Sequence, residues 1–409
     1  MSKFLHIAML SIHSCPIGQL GGRDTGGMNV YVCELARELG RNGHTVDIFT
    51  KNHSGHYERV TTIGEGVRLI HLDIDTNENM PKVAIYGSLQ DMLCAIENFR
   101  KDGMRRYDII HSHYWLSGIM GAQLRMWWNI PHITMFHTLG IPKNRRDATN
   151  DEPELRIETE KQVVMHSDRI ITATEQEKTA LISLYGAAQS RVAVIPCGVN
   201  MDLFKPMDAE LARRMLKLKS KKHILFVGRF EHVKGLHQLI KAMSLITGTV
   251  DAELIVIGGD EHSSNERLQM HALCRDLNIE NSVLFKGSID QRKLPAYYSA
   301  ADVCVIPSYY ESFGMVALES LACGTPIVAA DVGGMRQIIT SETMGYIAPT
   351  NDPLLLAEYI IRTLTQQKRA ESQILRRAAA AEFSWPDITR KIYNEYQTIL
   401  STAAVPQPN

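Results

Sequence analysis

Two stretches of this chain set charged residues where they could grip an anion and a polyhydroxy ligand. In "FVGRFEHVKG", Arg229 and Lys234 follow an apolar run that reads as a strand. Arg offers a planar fork and Lys a point charge, so two cations at a strand end suit a diphosphate. Solvated surface charge is nonetheless the commoner fate of both residue types. In "PSYYESFGMVALESLACGTP", Ser312, Phe313 and Gly314 read as the entry to a helix that contains Glu319. Glu311 then stands in the loop at the helix mouth, with Glu319 about a turn and a half inside it. The amides of Phe313, Gly314, Met315 and Val316 would point outward as an anion site. Acids beside such a site are unfavourable unless they accept hydrogen bonds, a role that sugar and ribose hydroxyls fit. Taken alone, the pair is better explained as one capping residue and one exposed helix acid.

The segment "GGRDTGGMNVYV" places Gly26 and Gly27 before a helix expected from Val30 to about Asn42, with Gly43 as its stop. Glycine lets backbone approach a ligand closely, and free amides at a helix start attract anions. A tight turn explains this loop as well, since it matches neither a Walker loop nor the dinucleotide fingerprint. "HSHYWLSG" (His113, Tyr114, Trp115) and "HTLGIPKN" (His137, Thr138, Lys143) follow two further strands. A single histidine is more often structural. Polar and aromatic residues at successive strand ends favour a functional reading.

These loops need a scaffold of strand ends, and the sequence supplies one. "HIAML", "TVDIFT", "VRLIHLD", "DIIHSH", "HITMFHT", "RIITAT" and "VAVIPC" occupy the first half, and "HILFVGR", "ELIVIGG", "SVLFKGS", "VCVIPS" and "PIVAA" the second. Nearly continuous apolar strands alternating with helices imply parallel sheets covered on both faces. A chain of 409 residues exceeds one compact core, so two doubly wound α/β domains are expected, over 1–200 and 201–385. "IPCGVNMDLFKP" (195–206) would be the hinge, and ligands divided between halves would close the domains on a deep cleft. The amphipathic tail over about 386–409, with Ile388, Ile392, Tyr393, Tyr396 and Ile399 near helical spacing, could pack on either domain, including back on the first.

The 44 basic and 45 acidic side chains nearly balance, which argues against generic nucleic-acid binding. Seven scattered cysteines read as reduced and buried, with no metal-site spacing between any pair. No apolar stretch approaches the ~20 residues of a spanning helix, so a cytoplasmic protein is expected.

The motifs together resemble the retaining glycosyltransferases of family 4, which have the GT-B fold of two facing Rossmann-like domains. The resemblance runs from "DTGGMNVYV" to "PSYYESFGMVALESLACGTPIVAADVGG", and the Glu311 and Glu319 block is its most specific part. It implies transfer of a hexose or N-acetylhexosamine from a nucleotide-diphosphate sugar, with UDP the expected base. Arg229 and Lys234 would hold the diphosphate, assisted by the amides of Gly27 and of the residues from Phe313 to Val316. Glu319 would bind the ribose, Glu311 the sugar hydroxyls, and His137 the sugar near the reacting centre. No carboxylate presents itself as a nucleophile, which fits a front-side mechanism. No cofactor and no metal is expected. The partners would be a small-molecule donor and acceptor, with a homo-oligomer possible.

"GGMNVYV", "SHYWLSG" and "HTLGIPKN" look most like the inositol-phosphate glycosyltransferases of mycothiol synthesis. That likeness would make Asn29, Lys82, Tyr114, Thr138 and Arg156 the acceptor's ligands. "GGRDTGG" also resembles sucrose-phosphate synthases, whose acceptor is fructose 6-phosphate. A lipid or polysaccharide acceptor at a membrane surface is a third alternative, which the basic stretch "ARRMLKLKSKK" just after the hinge does little to support. The Glu pair argues for a transferase over an epimerase, a phosphorylase would need a pyridoxal-phosphate lysine motif that does not present itself, and a sugar-nucleotide binding module would need Arg229, Lys234 and Glu311 but not their placement against a facing histidine.

Overall fold

The computed structural model of the chain describes residues 4–18, 25–52, 58–74, 80–146, 152–259, 264–366 and 370–403. Two compact units divide the chain. The first comprises Met1–Gly18, Gly27–Pro196 and Trp385–Asn409, and the second Gln19–Gly26 and Cys197–Ser384.

The first unit holds β1 (His6–Leu10), β2 (Thr45–Lys51), β3 (Val60–Gly64), β4 (Val67–Leu72), β5 (Ile109–His113), β6 (His132–Met135), β7 (Arg169–Thr172) and β8 (Val192–Val194). Their order is β3-β4-β2-β1-β5-β6-β7-β8, with only the β3–β4 pair antiparallel. β5 and β6 are buried at every position, as expected of strands covered on both faces. The core joins Phe49, Met92, Ile96, Trp115 and Phe136. Helix Trp385–Ala403 belongs to this unit and packs on helix Gly27–Arg41, burying Ile388, Ile392, Tyr396 and Ile399.

The second unit is a wholly parallel sheet of β9 (Lys222–Val227), β10 (Ala252–Ile257), β11 (Val283–Gly287), β12 (Val303–Ile306), β13 (Ile327–Ala330) and β14 (Gly345–Ala348). The order is β11-β10-β9-β12-β13-β14. Its core includes Leu239, Ile240, Met243, Leu254 and Ile360.

In both sheets the winding direction reverses beside the first strand, between β1 and β5 and between β9 and β12. Crevices beyond the carboxyl ends of such strands are where doubly wound sheets bind ligands. The loop with Arg229 and Lys234 follows β9, and the one with Glu311 follows β12. Tyr114 follows β5, and His13 follows β1.

Three expectations need correction. The first helix begins at Gly27 rather than Val30, because the weak helix propensity of glycine disguises a residue that does take helical geometry. Asn29 therefore lies inside the first turn. β3 and β14 were not anticipated: β3 is a half-exposed edge strand of "VTTIG", and β14 is the four residues "GYIA". Cys94 is exposed on helix Leu89–Asp102, whereas the other six cysteines are buried.

Candidate active site

The charges of the second unit are arranged in pairs. Lys234 Nζ donates to Glu311 Oε2 at 2.7 Å, and Arg229 Nη1 lies 2.7 Å from Glu231 Oε1. Lys234 closes a single 3-10 turn, His232–Lys234, followed by Gly235 at φ +69. A Cβ at Gly235 would collide with the Pro307 carbonyl oxygen, so glycine is what lets the lysine loop rest against the end of β12. The loop after β12 meets helix Met315–Ala322 through Gly314, whose φ of +111 is likewise a glycine conformation. The amides of Met315 and Val316 lie in its first turn and have no intrahelical acceptor. Phe313 is buried against Phe383, with ring centroids 5.9 Å apart, which anchors the approach to the helix.

Glu319 is buried and accepts the Tyr298 hydroxyl at 2.7 Å. Burial pushes its carboxyl up to about 7. A buried carboxyl that accepts hydroxyl hydrogen bonds, as it does from Tyr298, suits capture of neutral hydroxyls.

In the first unit, one aromatic ring gathers three basic groups. Tyr114, held at φ +77, has the Arg156 guanidinium carbon 4.9 Å from its ring centroid and Lys82 Nζ at 5.6 Å. The His13 ring lies 4.3 Å away on centroids. Arg156 is almost wholly buried. Its Nη2 donates to the Thr138 carbonyl at 2.8 Å and to Thr138 Oγ1 at 3.0 Å. Its Nε contacts Glu160 Oε1 at 2.7 Å and its Nη1 contacts Glu152 Oε2 at 2.8 Å. Glu160 is itself fixed by the Tyr185 hydroxyl and the Gly140 amide. Lys82, Tyr114, Thr138 and Arg156, far apart in sequence, thus form one cluster.

His13 is the residue that the sequence reading overlooked. Burial and then the positive charges of Lys82, Lys51 and Arg156 hold its imidazole well below the ordinary range. The smaller contribution of those cations marks the ring as neighbour to a cluster of positive charge. The position could have been found by the rule that singled out Tyr114, since it follows β1 at the switch point.

Asn29 is fully buried, and its Nδ2 donates to Ser14 Oγ and the Cys15 carbonyl, both at 2.7 Å. It ties the loop after β1 to helix Gly27–Arg41. His137, at φ +61, places Nε2 3.0 Å from His113 Nδ1. Lys143 pairs with Glu152 at 2.5 Å. Gly27 is the exposed first residue of its helix. Residues 19–24, which carry most of the "GGRDTGG" motif, lie outside the described residues.

Burial depresses seven imidazoles of this unit: His111, His132 and His137 fall to about 3, His13 and His113 lie well below the ordinary 6.5, and His44 and His71 are also lowered. Unfolded histidines take up protons below pH about 6.5 while these native ones do not, so stability is full above that pH and declines as pH falls. Each costs about 1.4 kcal/mol per pH unit. Glu177 and Glu319, both raised to about 7 by burial, act in the opposite sense between pH 7 and 4.5, and are outnumbered. The melting temperature is expected to drop steeply from pH 7 to 5; a flat thermal-melt profile there would contradict the buried neutral histidines.

Among the described residues no helix is long and apolar enough to cross a membrane. Two family models match the chain: Glycosyltransferase Family 4 over residues 25–203 and Glycosyl transferases group 1 over 208–379. A D-inositol 3-phosphate glycosyltransferase of Xylanimonas cellulosilytica is 35% identical over 403 residues, covering 95% of this chain and 96% of its own. D-inositol 3-phosphate glycosyltransferase 2 of Catenulispora acidiphila is 39% identical over 361 residues, covering 85% and 84%. Among solved structures, a sucrose-phosphate synthase from Thermosynechococcus elongatus superposes with a TM-score of 0.90 at 33% identity, covering 97% of this chain and all of that one.

Proposed function

The chain belongs to glycosyltransferase family 4, and from that premise we infer that it is a retaining hexosyltransferase. It moves a hexose or N-acetylhexosamine from a nucleotide-diphosphate sugar to a small phosphorylated polyol or sugar. The observation that carries the acceptor class is the cluster in the first unit. Lys82 and Arg156 lie over Tyr114, with Thr138 bonded to Arg156 and His13 beside the same ring. A fixed guanidinium, a more mobile ammonium and two hydroxyls suit a phosphate monoester. The names of the similar proteins support the same class: inositol phosphate is the first candidate and fructose 6-phosphate the second, the latter favoured by the sucrose-phosphate synthase superposition.

On this reading Arg229 and Lys234 hold the donor diphosphate and stabilise the charge that develops as the sugar departs. The amides of Gly27 and of the residues from Phe313 to Val316 assist, Glu319 takes the ribose, and Glu311 takes hydroxyls of the transferred sugar. In the protein alone, Glu311 already neutralises Lys234. The diphosphate would become the second partner of that lysine, leaving Glu311 to turn its free oxygen to the sugar. The leaving phosphate accepts the acceptor's proton on the front face, so positioning and electrostatic stabilisation supply most of the acceleration. Two cations carry the countercharge, and neither a cofactor nor a divalent ion forms part of the proposal. Asn29 acts at one remove, by holding the loop after β1. Cytoplasmic location is proposed with the soluble substrates.

The test is a screen of UDP-, ADP- and GDP-sugars against inositol phosphate, fructose 6-phosphate and their dephosphorylated forms, read by mass spectrometry. A phosphorylated product with retained anomeric configuration is expected. Preference for the unphosphorylated acceptors would overturn the phosphate site.

A further inference from the structure

Behind the strand ends of β5 and β6 the first unit packs a run of rings. His113 Nδ1 lies 3.0 Å from His137 Nε2. The His111 ring lies tilted against that of His113 with centroids 4.3 Å apart, and its Nδ1 is 2.7 Å from the hydroxyl of Tyr396 on helix Trp385–Ala403. Tyr31 contacts His113, His137 and Trp385 edge-on, at 5.7, 5.1 and 5.2 Å. Both members of the His113–His137 pair are thereby held in place.

Burial keeps both imidazoles neutral at physiological pH, so each carries one proton. A single bond between them admits two arrangements. If His137 donates from Nε2, His113 must accept at Nδ1 and carry its own proton on Nε2. That atom is buried, and among the described residues no group bonds to it. If His113 donates from Nδ1, the same buried atom is a bare lone pair, and His137 carries its proton on Nδ1. An orphaned buried N–H is the rarer defect, and leaving a donor unsatisfied forfeits its hydration without return. The second arrangement is therefore favoured.

We propose that His113 is a positioning residue that fixes His137 as the Nδ1–H tautomer, so that His137 meets the transferred sugar as a hydrogen-bond donor and not as a base. This rests on the reading above that sets His137 against the donor sugar. It also agrees with proton transfer to the leaving phosphate, because a histidine whose Nε2 lone pair is occupied and whose Nδ1 is protonated has no site to accept a proton.

Two-bond nitrogen–proton correlation spectra of the full chain, labelled at histidine, read the tautomer directly, with His137 assigned by the signal lost in His137→Ala. A protonated Nδ1 is expected; a protonated Nε2 overturns the proposal. Kinetics supply a second readout. His113→Leu removes the donor and is expected to lower kcat about tenfold with little change in donor KM. His113→Asn places an amide N–H near the lost Nδ1–H and is expected to restore most of kcat. His113→Asp can only accept and should convert His137 to the Nε2–H form. Should the Asp variant fail to fold, equal kcat for the Asn and Leu variants overturns the positioning role. If the spectra show Nδ1–H while His137→Ala turns over as wild type does, the tautomer stands and the placing of His137 against the sugar falls.

Discussion

Lys234→Ala is expected to lower kcat for sugar transfer by about 100- to 1,000-fold, the range for removing one preorganised group that meets developing charge. Lys234 donates to Glu311 at 2.7 Å, and both occupy loops that follow neighbouring strands at the switch point. In the proposed site, loss of the ammonium leaves the departing diphosphate with backbone amides and Arg229, whose guanidinium is already shared with Glu231. Glu311 loses the partner that orients it. The substitution is at a half-buried position, so stability should change little and the deficit should appear in the chemical step. Slow hydrolysis of the donor without acceptor should fall in parallel, because it passes through the same separation of charge. Initial rates of nucleotide release within threefold of wild type would remove Lys234 from the mechanism.

Arg156→Ala is expected to act twice. The guanidinium is nearly inaccessible and balances Glu160 and Glu152. Its loss strands buried carboxylate charge, which costs about 3–5 kcal/mol and lowers the melting temperature by roughly 10 °C. Where the protein remains folded, KM for a phosphorylated acceptor should rise by at least about tenfold, since a charge-assisted hydrogen bond contributes roughly 1.5–3 kcal/mol. KM for the donor should hold. Lys82→Ala separates the two effects: Lys82 is half-exposed and starts its helix, so the acceptor KM should rise with melting nearly unchanged. Unaltered acceptor KM in both variants would show that the Tyr114 cluster serves the fold alone.

Much of this scaffold was legible because continuous apolar runs mark strands covered on both faces, and because ligand residues in such sheets follow strand ends. Arg229, Lys234, Glu311 and Tyr114 could be found by that rule. β14 escaped it because "GYIA" is too short to show a pattern, and β3 because an exposed antiparallel edge with two threonines lacks the apolar signature. Asn29 is a different case. The family likeness suggested a ligand of the acceptor, whereas a helix that starts at Gly27 turns the side chain inward onto Ser14 and Cys15. The meeting of Lys82 and Arg156 over one ring is set by tertiary packing, and only the family likeness hinted at it. The pairing of His113 with His137 had no sequence signal beyond the strand ends they share, because cross-strand geometry decides which ring nitrogens meet.

The chain leaves the first unit at Pro196 and returns to it at Trp385. The backbone amide of Val199 bonds to the Phe383 carbonyl at 2.8 Å, so the outgoing and returning segments are stitched together near these crossings. During synthesis the second unit therefore emerges whole before the first can be completed. Until helix Trp385–Ala403 is made, the apolar face of helix Gly27–Arg41 and the rings of Tyr31 and His111 lack their cover. A ribosome-bound intermediate would hold a finished second unit and an unfinished first one, and the His113–His137 pair would be among the last features to form.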